Sequence, residues 1–367
     1  WHAVLQHAAP CQLLDECVHS NKGIHCRLIW LYLYPMIVVT GASGMLGSQV
    51  VLQLSQKFPE KTTHAWYRSE SSRAAAIASW SAQDFQGKSV HWVKVDLENQ
   101  QEVMDAMQGA SHVVHAAAMV SFRQRDAMRM QMVNPLMAEH VALAAADSRV
   151  RNLIHVSSVA ALGKEADKAI SIHSIPDRKT LHAYGKSKLD SELVMQRYHA
   201  EGMPLWVLNP TVILGPPAWP DGSSGIPRSI AKGMPFASKG STGWVDVRDV
   251  AVAICHLIDA KGLGKQVLLN GHNASFSKLF SVLATAMGKT PPRWLIPKWL
   301  LLSVAHIEAI LDRLIGRKAN LGIDGARAAS AISQYDNQSA IDQGLAFRAL
   351  ETTAEFIAKT QKILQSA

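Results

Sequence analysis

The sequence predicts an α/β protein in which a parallel sheet is covered by helices on both faces. From Met36 onward, short β-rich segments alternate with longer helical ones, a pattern typical of βαβ units. A glycine-rich segment directly follows the first predicted strand and opens the first predicted helix. After about residue 215 the alternation loosens and prolines and glycines accumulate. Together these observations predict a Rossmann-like, doubly wound sheet with a smaller, discontinuous C-terminal substrate lobe.

The individual elements follow from the local pattern. Clusters of β-branched and apolar residues predict strands at 36–40, 63–67, 90–95, 112–116, 152–157 and 204–208. Longer segments between them predict helices at 45–56, 98–107, 134–146 and 183–199, and later at 250–258 and 277–287. We therefore expect a Rossmann domain over 36–215. The remainder, 216–367, is expected to be mostly substrate-binding lobe, with some segments returning to the Rossmann domain.

Composition excludes several classes of protein. The chain has 367 residues, is 48% hydrophobic and 18% charged, and is therefore neither disordered nor of low complexity. Its net charge of +8 is spread along the chain, which suits anionic small molecules and gives no support for nucleic acid as a partner. No segment reaches the roughly 18–20 apolar residues of a membrane span. The four cysteines form neither a disulfide framework nor a zinc pattern, so we expect a cytoplasmic protein without metal.

Residues 1–35 differ from the rest of the chain. They contain three of the four cysteines and show no helical or strand period. The chain starts at Trp1, whereas Met36 stands directly before the first predicted strand. We therefore expect this stretch to be an atypical extension and the functional domain to begin at Met36.

The first candidate site is the segment T-G-A-S-G-M-L-G at 40–47. The first glycine permits a tight turn, the second allows a pyrophosphate to approach the backbone, and the third allows close packing of helix and strand. The positive end of the helix attracts the phosphates. We expect contacts with a dinucleotide from Gly41, Ser43, Gly44, Met45, Leu46 and Gly47. The alternative is a purely structural turn.

The second candidate site contains Tyr184, Lys188 and Ser158. Residues i and i+4 share a helix face, so Tyr184 and Lys188 project together, and the ammonium is expected to lower the phenol pKa from near 10. Such a tyrosine can exchange a proton with a substrate oxygen. Ser158 ends a predicted parallel strand, where open α/β sheets bind ligands, and its hydroxyl can bond a reacting carbonyl or alcohol.

The end of the second predicted strand bears on the choice of cofactor. NAD sites usually offer a carboxylate here, whereas an arginine accommodates the 2′-phosphate of NADP. The chain has Arg68 here and Arg73 five residues later, and no Asp or Glu occurs between the end of this strand and Glu70. The sequence therefore favours NADP over NAD, the alternative being that Arg68 is a solvated surface residue.

These motifs resemble the short-chain dehydrogenase/reductase superfamily, in which a Thr-led G-x-x-G-x-x-G and a Y-x-x-x-K occur in this order. Three further segments resemble its extended branch: 209–216 resembles N/R-P-x-x-x-x-G-P, 244–251 resembles the V-x-D-V-A block, and 339–347 resembles the closing L-G-F element, here with alanine in place of the glycine. The resemblance runs from Met36 to about Phe356. It identifies the NAD(P)-dependent epimerase/dehydratase family, which includes dihydroflavonol 4-reductase-like enzymes.

The resemblance implies roles for further residues. On the cofactor side, Asp96 and Leu97 lie near the adenine, Ala116, Ala117 and Ala118 let the backbone approach the adenosine, and Pro210 and Ile213 belong to the nicotinamide-contacting segment. Without the resemblance, Asp96 would be interpreted as a helix cap. On the catalytic side, Asn134 takes the family's structural–catalytic position and Lys188 bonds the nicotinamide ribose. The V-S-S-x-x-x-x-G pattern ending at Gly163 selects Ser158 over Ser157.

The reaction is less constrained, because reductases and epimerases of this family share the same machinery. Sugar-nucleotide members carry an arginine before the V-x-D block, where this chain has Thr242. The loop 216–220 and the apolar stretch 294–302 suit an apolar carbonyl or alcohol, ordinary lobe packing, or weak contact with a membrane surface. Arg123, Arg125 and Arg129 suit a solvated helix face or an acidic substrate group.

The sequence thus predicts an NAD(P)-dependent oxidoreductase with Tyr184 as acid/base. The first alternative is a nucleotide-sugar epimerase/dehydratase with tightly held NAD. The second is a cofactor-binding regulator without turnover, although such relatives typically lose the Tyr or the Lys. A homodimer is compatible with the sequence.

Overall fold

The structure is a computed structural model that describes residues 36–121, 123–163, 168–216, 218–219, 222–260, 264–315 and 322–366. The expected N-terminal extension, 1–35, lies outside the described residues.

The strands in the described part of the chain alternate with helices up to β6 and cluster afterwards. They are β1 Met36–Thr40, β2 Thr62–Tyr67, β3 Val90–Lys94, β4 Ala110–His115, β5 Asn152–Val156, β6 Leu205–Pro210, β7 Val212–Leu214, β8 Phe236–Ser238, β9 Ser241–Asp246, β10 Lys265–Leu269, β11 His272–Ser275 and β12 Trp294–Ile296.

The helices connect and cover these strands. They are α1 Met45–Lys57, α2 Glu70–Ser81, α3 Gln100–Met107, α4 Ala127–Asp147, α5 Ala183–Ala200, α6 Gly225–Ala231, α7 Val247–Leu257, α8 Phe276–Ala286, α9 Lys298–Ile315, α10 Gly322–Ser330, α11 Gln338–Ile341 and α12 Leu350–Ser366.

The main sheet has seven parallel strands in the order β10-β6-β5-β4-β1-β2-β3. Strands β4, β5 and β6 are buried along their whole length, as expected where helices cover both faces of a parallel sheet. Apolar residues of α1 and α7 form the core on one face, and those of α3, α4 and α5 form it on the other. The predicted fold class is therefore confirmed.

The chain reverses direction across the sheet between β1 and β4, which are neighbours although far apart in sequence. Ligands of doubly wound sheets bind outside the carboxyl ends of the strands at such a switch point. The glycine-rich turn after β1 and the alanines after β4 meet at this point.

Several element predictions need correction. The predicted helix at 134–146 begins seven residues earlier, at Ala127. The helix predicted from residue 98 begins at Gln100, because the Asn99 side chain accepts bonds from the first-turn N–H groups of Gln101 and Glu102. Helix α2 and strand β10 were not predicted. The α2 segment is rich in serine and alanine, and β10 has only three apolar residues.

The C-terminal lobe has its own core. It contains a three-stranded sheet in the order β11-β9-β7 and a parallel pair of β12 with β8. Buried side chains of α6, α8 and α12 pack against β7 and β9. The block at 244–251 and the closing element at 339–347 meet in this lobe, because the backbone N–H of Arg348 donates to the Asp249 carboxylate at 2.8 Å. Among the described residues, none of the helices combines the length and apolar character needed to cross a bilayer.

Candidate active site

The glycine-rich turn between β1 and α1 is shaped by close backbone contacts. Gly41 has a φ of +67°, which favours glycine, and a Cβ there would lie 2.8 Å from the Ala117 backbone. A Cβ on Gly47 would lie 2.1 Å from the Gly41 carbonyl oxygen, so α1 approaches the turn only with glycine at this position. At Gly44 a Cβ would meet only that oxygen, at 3.3 Å. The backbone at Gly44 is therefore accessible from outside.

The start of α1 fits a phosphate group. Gly44 is the N-cap residue and offers no side chain to the free N–H groups of the first turn, which contains Met45, Leu46 and Gly47. This turn also lacks acidic residues, so the partial positive charge of the helix end is not neutralised there. These features fit the pyrophosphate of a dinucleotide.

The residues that follow β4 form the opposite wall of this turn. The Ala117 N–H lies 3.3 Å from Thr40 Oγ1, and His115 Nδ1 lies 2.8 Å from the same oxygen. The backbone of Ala116 and Ala117 comes close to Gly41, and Ala118 follows directly. The expected adenosine side of the site is thus bounded by small residues.

Asp96 and Leu97 follow β3 at the same edge of the sheet. Asp96 is exposed, and its Oδ1 accepts a bond from the Glu98 N–H at 3.0 Å. Leu97 is buried, and its carbonyl oxygen lies 2.8 Å from His140 Nδ1. The alternative interpretation of Asp96 as the helix cap is wrong, because Asn99 caps α3. The exposed carboxylate of Asp96 remains accessible to a ligand.

Arg68 lies between β2 and α2, beside the glycine-rich turn. It is exposed and makes no hydrogen bond or ion pair with the described residues. Ser69 caps α2, and Ser72 in its first turn donates from Oγ to Ser43 Oγ at 3.0 Å. A cation, a helix N-terminus and two serine hydroxyls therefore border the same part of the turn.

Arg73 differs from the expectation that it supports Arg68. Its Nη1 donates to the Glu70 carboxylate at 2.9 Å, and its guanidinium lies over the Tyr67 ring at 5.4 Å. Tyr67 also donates its hydroxyl proton to Glu70 at 2.7 Å. Glu70, the nearest acid after β2, is therefore already bonded on both sides.

Ser158 and Tyr184 come together because helix α5 packs directly on the turn that follows β5. A Cβ on Gly185 would lie 2.4 Å from the Ala160 carbonyl oxygen, so only glycine allows this approach. His182 caps α5, its Nδ1 accepting from the Gly185 N–H at 3.2 Å, and its ring stacks on Tyr184. The Tyr184 hydroxyl and the Ser158 side chain are left facing each other at the carboxyl end of the sheet.

The pKa values of the pair differ from the sequence expectation. Burial raises the pKa of Tyr184, and hydrogen bonding with Ser158 only partly opposes this. Burial also lowers the pKa of Lys188 to about 8. The Lys188 ammonium donates to the Val156 carbonyl oxygen at 2.7 Å and does not lower the pKa of Tyr184. The expected lowering of the tyrosine pKa by lysine is therefore not found in this structure.

The two adjacent serines point to different surroundings. Ser158 Oγ accepts from the Ala160 N–H at 3.2 Å and hydrogen-bonds Tyr184, whereas the Ser157 side chain is buried.

We expect Ser158→Ala to reduce turnover at least about tenfold, the equivalent of one lost hydrogen bond of about 1.4 kcal/mol. We expect Ser157→Ala to change stability more than turnover. Steady-state kinetics and thermal unfolding of both variants decide this, and the reverse order would move the role to Ser157.

Asn134 is buried in α4 and connects two segments near the site. Its Nδ2 donates to the Met119 carbonyl oxygen and to Ser187 Oγ, both at 3.0 Å, and its Oδ1 accepts from the Met119 N–H at 2.7 Å. Ser187 in turn donates to the Tyr184 carbonyl oxygen at 2.8 Å. The amide thus holds the loop after β4 against α5, and the catalytic part of the role of Asn134 stays a prediction.

Pro210 and Ile213 lie where the main sheet continues into the lobe. Pro210 ends β6 and pairs with Leu269 of β10, while Ile213 in β7 pairs with Val245 of β9. The preceding Asn209 donates from Nδ2 to the Ser158 carbonyl oxygen at 3.0 Å. The segment thus lies next to the Ser158 turn, as a nicotinamide-contacting segment requires.

Trp219 lies beside the glycine-rich turn. It belongs to the loop 216–220, for which the sequence left an apolar substrate contact and ordinary lobe packing open, and Pro217 and Pro220 lie outside the described residues. The structure buries the Trp219 ring, and its Nε1 donates to the Ser43 carbonyl oxygen at 2.7 Å. Trp219 therefore joins the lobe to the glycine-rich turn. Its aromatic character alone gave no signal for this contact.

Three arginines lie at or just before the start of α4. Arg129 lies 3.4 Å from the Glu98 carboxylate and is 65% exposed, which favours the solvated helix face. Arg123 and Arg125 precede α4. Among the described residues there is no group of three or more His, Cys, Asp or Glu arranged to hold a metal ion.

Comparison with known proteins shows the family of the chain. The family model for the NAD dependent epimerase/dehydratase family matches residues 37–269. A putative dihydroflavonol 4-reductase of Synechocystis sp. is 27% identical over 86% of this chain and 90% of its own length. Sterol demethylase protein B of Methylococcus capsulatus is 28% identical over 75% of this chain and 82% of its own length.

The solved structures agree on the fold. UDP-glucose 4-epimerase of Thermus thermophilus, determined in complex with NAD, superimposes with a TM-score of 0.69. It shares 19% identity, and the match covers 90% of this chain and 99% of that chain.

Proposed function

Because the chain belongs to the NAD dependent epimerase/dehydratase family, an extended branch of the short-chain dehydrogenases/reductases, we propose that it is an NAD(P)-dependent oxidoreductase. Its substrate is a small-molecule carbonyl or alcohol. The observation that carries the proposal is the Ser158–Tyr184 pair, placed with Lys188 at the carboxyl end of the sheet beside the glycine-rich turn.

The proposed chemistry assigns one task to each side chain. The nicotinamide, when bound, supplies or accepts the hydride. Tyr184 has a raised pKa and is therefore protonated at neutral pH, the form that donates a proton to a carbonyl oxygen during reduction. The Ser158 hydroxyl donates a second hydrogen bond to that oxygen. Lys188 holds the nicotinamide ribose, as the family resemblance implies.

The residues lining the lobe favour a reductase over an epimerase acting on sugar nucleotides. Thr242, at the position where such enzymes carry an arginine, is buried in β9 and offers no cation to a second pyrophosphate. Two curated relatives are named as a reductase and as a sterol demethylase protein, neither acting by name on a sugar nucleotide. The epimerase alternative is favoured by the description of the family and by the fold similarity to UDP-glucose 4-epimerase.

The proposal is tested by following NADPH absorbance with a panel of ketones, aldehydes and UDP-sugars. We expect net oxidation of NADPH with at least one ketone or aldehyde and none with UDP-sugars. Mass spectrometry of small molecules that copurify with the protein directs the choice of panel. Conversion of a UDP-sugar without net change in the cofactor would favour the epimerase. Tight cofactor binding with no turnover in any assay would favour the regulator.

We propose NADP as the preferred cofactor. Arg68 is exposed and makes no hydrogen bond or ion pair with the described residues, and the hydroxyls of Ser69 and Ser72 beside it can donate to the same phosphate. Glu70, which could have bonded the ribose hydroxyl of NAD, is occupied by Tyr67 and Arg73.

We also propose that β8, β12 and the start of α9 contact an anionic membrane surface. Trp294, Leu295 and Trp299 are 66%, 52% and 68% exposed, and Phe236, which pairs with Trp294, is 45% exposed. Exposed cations surround them, and the flanking segments 226–240 and 287–300 contain no Asp or Glu. The exposed cations are Lys232, Lys239, Lys289, Arg293 and Lys298. Aromatic and basic residues in this arrangement favour a negatively charged lipid interface.

Vesicle binding tests this contact. We expect co-sedimentation with phosphatidylglycerol vesicles, reversed by salt, and little with phosphatidylcholine. The double substitution Trp294→Ala and Trp299→Ala should weaken vesicle binding at least about tenfold, because the loss of each ring removes apolar area that the membrane would bury. Ile332→Ala, at another exposed apolar side chain, is the control. No binding to acidic vesicles, or equal binding to both lipids, would contradict the proposal. The homodimer and the cytoplasmic location stay predictions.

A further inference from the structure

A buried carboxylate, that of Glu192, lies one turn after Lys188 on the same helix. Residues 184, 188 and 192 are spaced by four and share one face of α5. Glu192 is only 4% exposed, although it is a glutamate in the interior of the protein. Buried carboxylates are costly unless they are hydrogen-bonded or paired with a charge, so its position needs an explanation.

The hydrogen bonds of Glu192 lead to the catalytic turn. Asn209 Nδ2 donates to Glu192 Oε1 at 2.6 Å and also to the Ser158 carbonyl oxygen at 3.0 Å. The amide oxygen of Asn209 accepts from Gln266 Nε2 at 2.8 Å, and the same nitrogen lies 3.4 Å from Glu192 Oε2. The Glu192 carboxylate therefore fixes the amide that holds Ser158.

The electrostatic surroundings of Lys188 point to the same carboxylate. Burial lowers the Lys188 pKa to about 8, and Glu192 is the neighbour that acts against this. The other titratable groups that face Lys188 are Tyr184 on its own helix, His115 on β4 and His155 on β5. Both histidines have pKa values lowered by burial and by Lys188, so they are neutral at neutral pH. Burial raises the pKa of Glu192, and its hydrogen bond with Asn209 and the charge of Lys188 oppose this. The ionised Glu192 is the negative charge available to Lys188 among the described residues.

We propose that Glu192 is a positioning residue of the active site: its buried carboxylate is the counter-charge that keeps Lys188 an ammonium, and through Asn209 it holds the Ser158 turn. The proposal rests on the proposed function in so far as Lys188 and Ser158 act there. Glu192 itself touches neither substrate nor cofactor. A side chain with a purely structural role would hydrogen-bond Asn209 but would not affect the charge of Lys188.

The test is an NMR titration of Lys188 in the full chain labelled with [13Cε]lysine. The resonance is assigned by its loss in Lys188→Met. We expect Lys188 to titrate near the value of about 8 in the native protein and at least about one pH unit lower in Glu192→Gln. The glutamine keeps an oxygen for Asn209 and removes only the charge. Glu192→Asp, which keeps the charge, should restore most of the shift.

The matched control is Glu201→Gln, which removes an exposed carboxylate from the end of the same helix and should leave the Lys188 titration unchanged. An unchanged Lys188 pKa in folded Glu192→Gln would overturn the proposal. If neither Glu192 variant folds, the titration curve of Lys188 in the native protein is the test. A charge interaction with Glu192 requires a second step in this curve, at the pH where Glu192 titrates. A curve with a single step would overturn the proposal. Because this readout needs no turnover, it is independent of whether the protein reduces carbonyls.

Discussion

Tyr184→Phe is expected to lower carbonyl reduction by about two to four orders of magnitude, the usual contribution of a positioned acid or base. The substitution keeps the ring, its stacking on His182 and its packing, and it removes only the hydroxyl that faces Ser158. NADPH binding should therefore persist. Single-turnover kinetics and a fluorescence titration with NADPH measure the two quantities separately.

The matched control is Tyr198→Phe, which removes a hydroxyl from the same helix far along from the site. Tyr198 donates to Glu139 at 2.7 Å at the surface of α4 and α5, so its loss should leave turnover near the native level. If Tyr184→Phe kept native turnover, another group would be the acid. Equal losses in both variants would indicate that the helix, and not the hydroxyl, is responsible.

The second large effect is expected for cofactor preference in Arg68→Asp. One charge-assisted hydrogen bond contributes about 1.5–3 kcal/mol, so Arg68 should give the native protein about a ten- to hundredfold preference for NADPH. A carboxylate at residue 68 repels the 2′-phosphate and can accept a bond from the ribose hydroxyl of NADH. The preference should therefore reverse. Dissociation constants for NADPH and NADH, measured side by side at two salt concentrations, test this.

The control for this experiment is Arg129→Asp, which makes the same charge change at an exposed arginine of α4 and should not alter the ratio of the two constants. Equal affinities of the native protein for NADPH and NADH would mean that Arg68 faces solvent. The assignment of Tyr184 would be unaffected by that result.

The fold could be predicted from sequence because its dominant features are local. Strands of the main sheet read as short apolar segments, and the glycine turn after β1 combines a positive φ at Gly41 with close approaches that only glycine permits. Strand β10 escaped prediction because it begins with Lys265 and Gln266, so that only its last three residues are apolar. The start of α4 was misplaced because Pro135, a residue that favours the first turn of a helix, lies inside this one.

The candidate site was predictable where a motif carries the chemistry, and not where tertiary contacts do. The spacing of Tyr184 and Lys188 gave their shared face. Their pKa values could not be read from it, because burial decides the direction for both groups. Arg73 looked available in sequence, but its pairing with Glu70 is a property of the folded α2. Glu192 gave no signal, since its contacts come from β6 and β10.

The most direct test of the central claim is the fate of the transferred hydrogen. The protein is incubated with one equivalent of NADPH deuterated at the transferable C4 position and with each compound of the panel, and product and cofactor are analysed by mass spectrometry. The account predicts one deuterium in the alcohol product for each NADP+ formed, and transfer slower by about two to four orders of magnitude in Tyr184→Phe. Deuterium retained in the cofactor, with a product that is an isomer of its substrate, would contradict it.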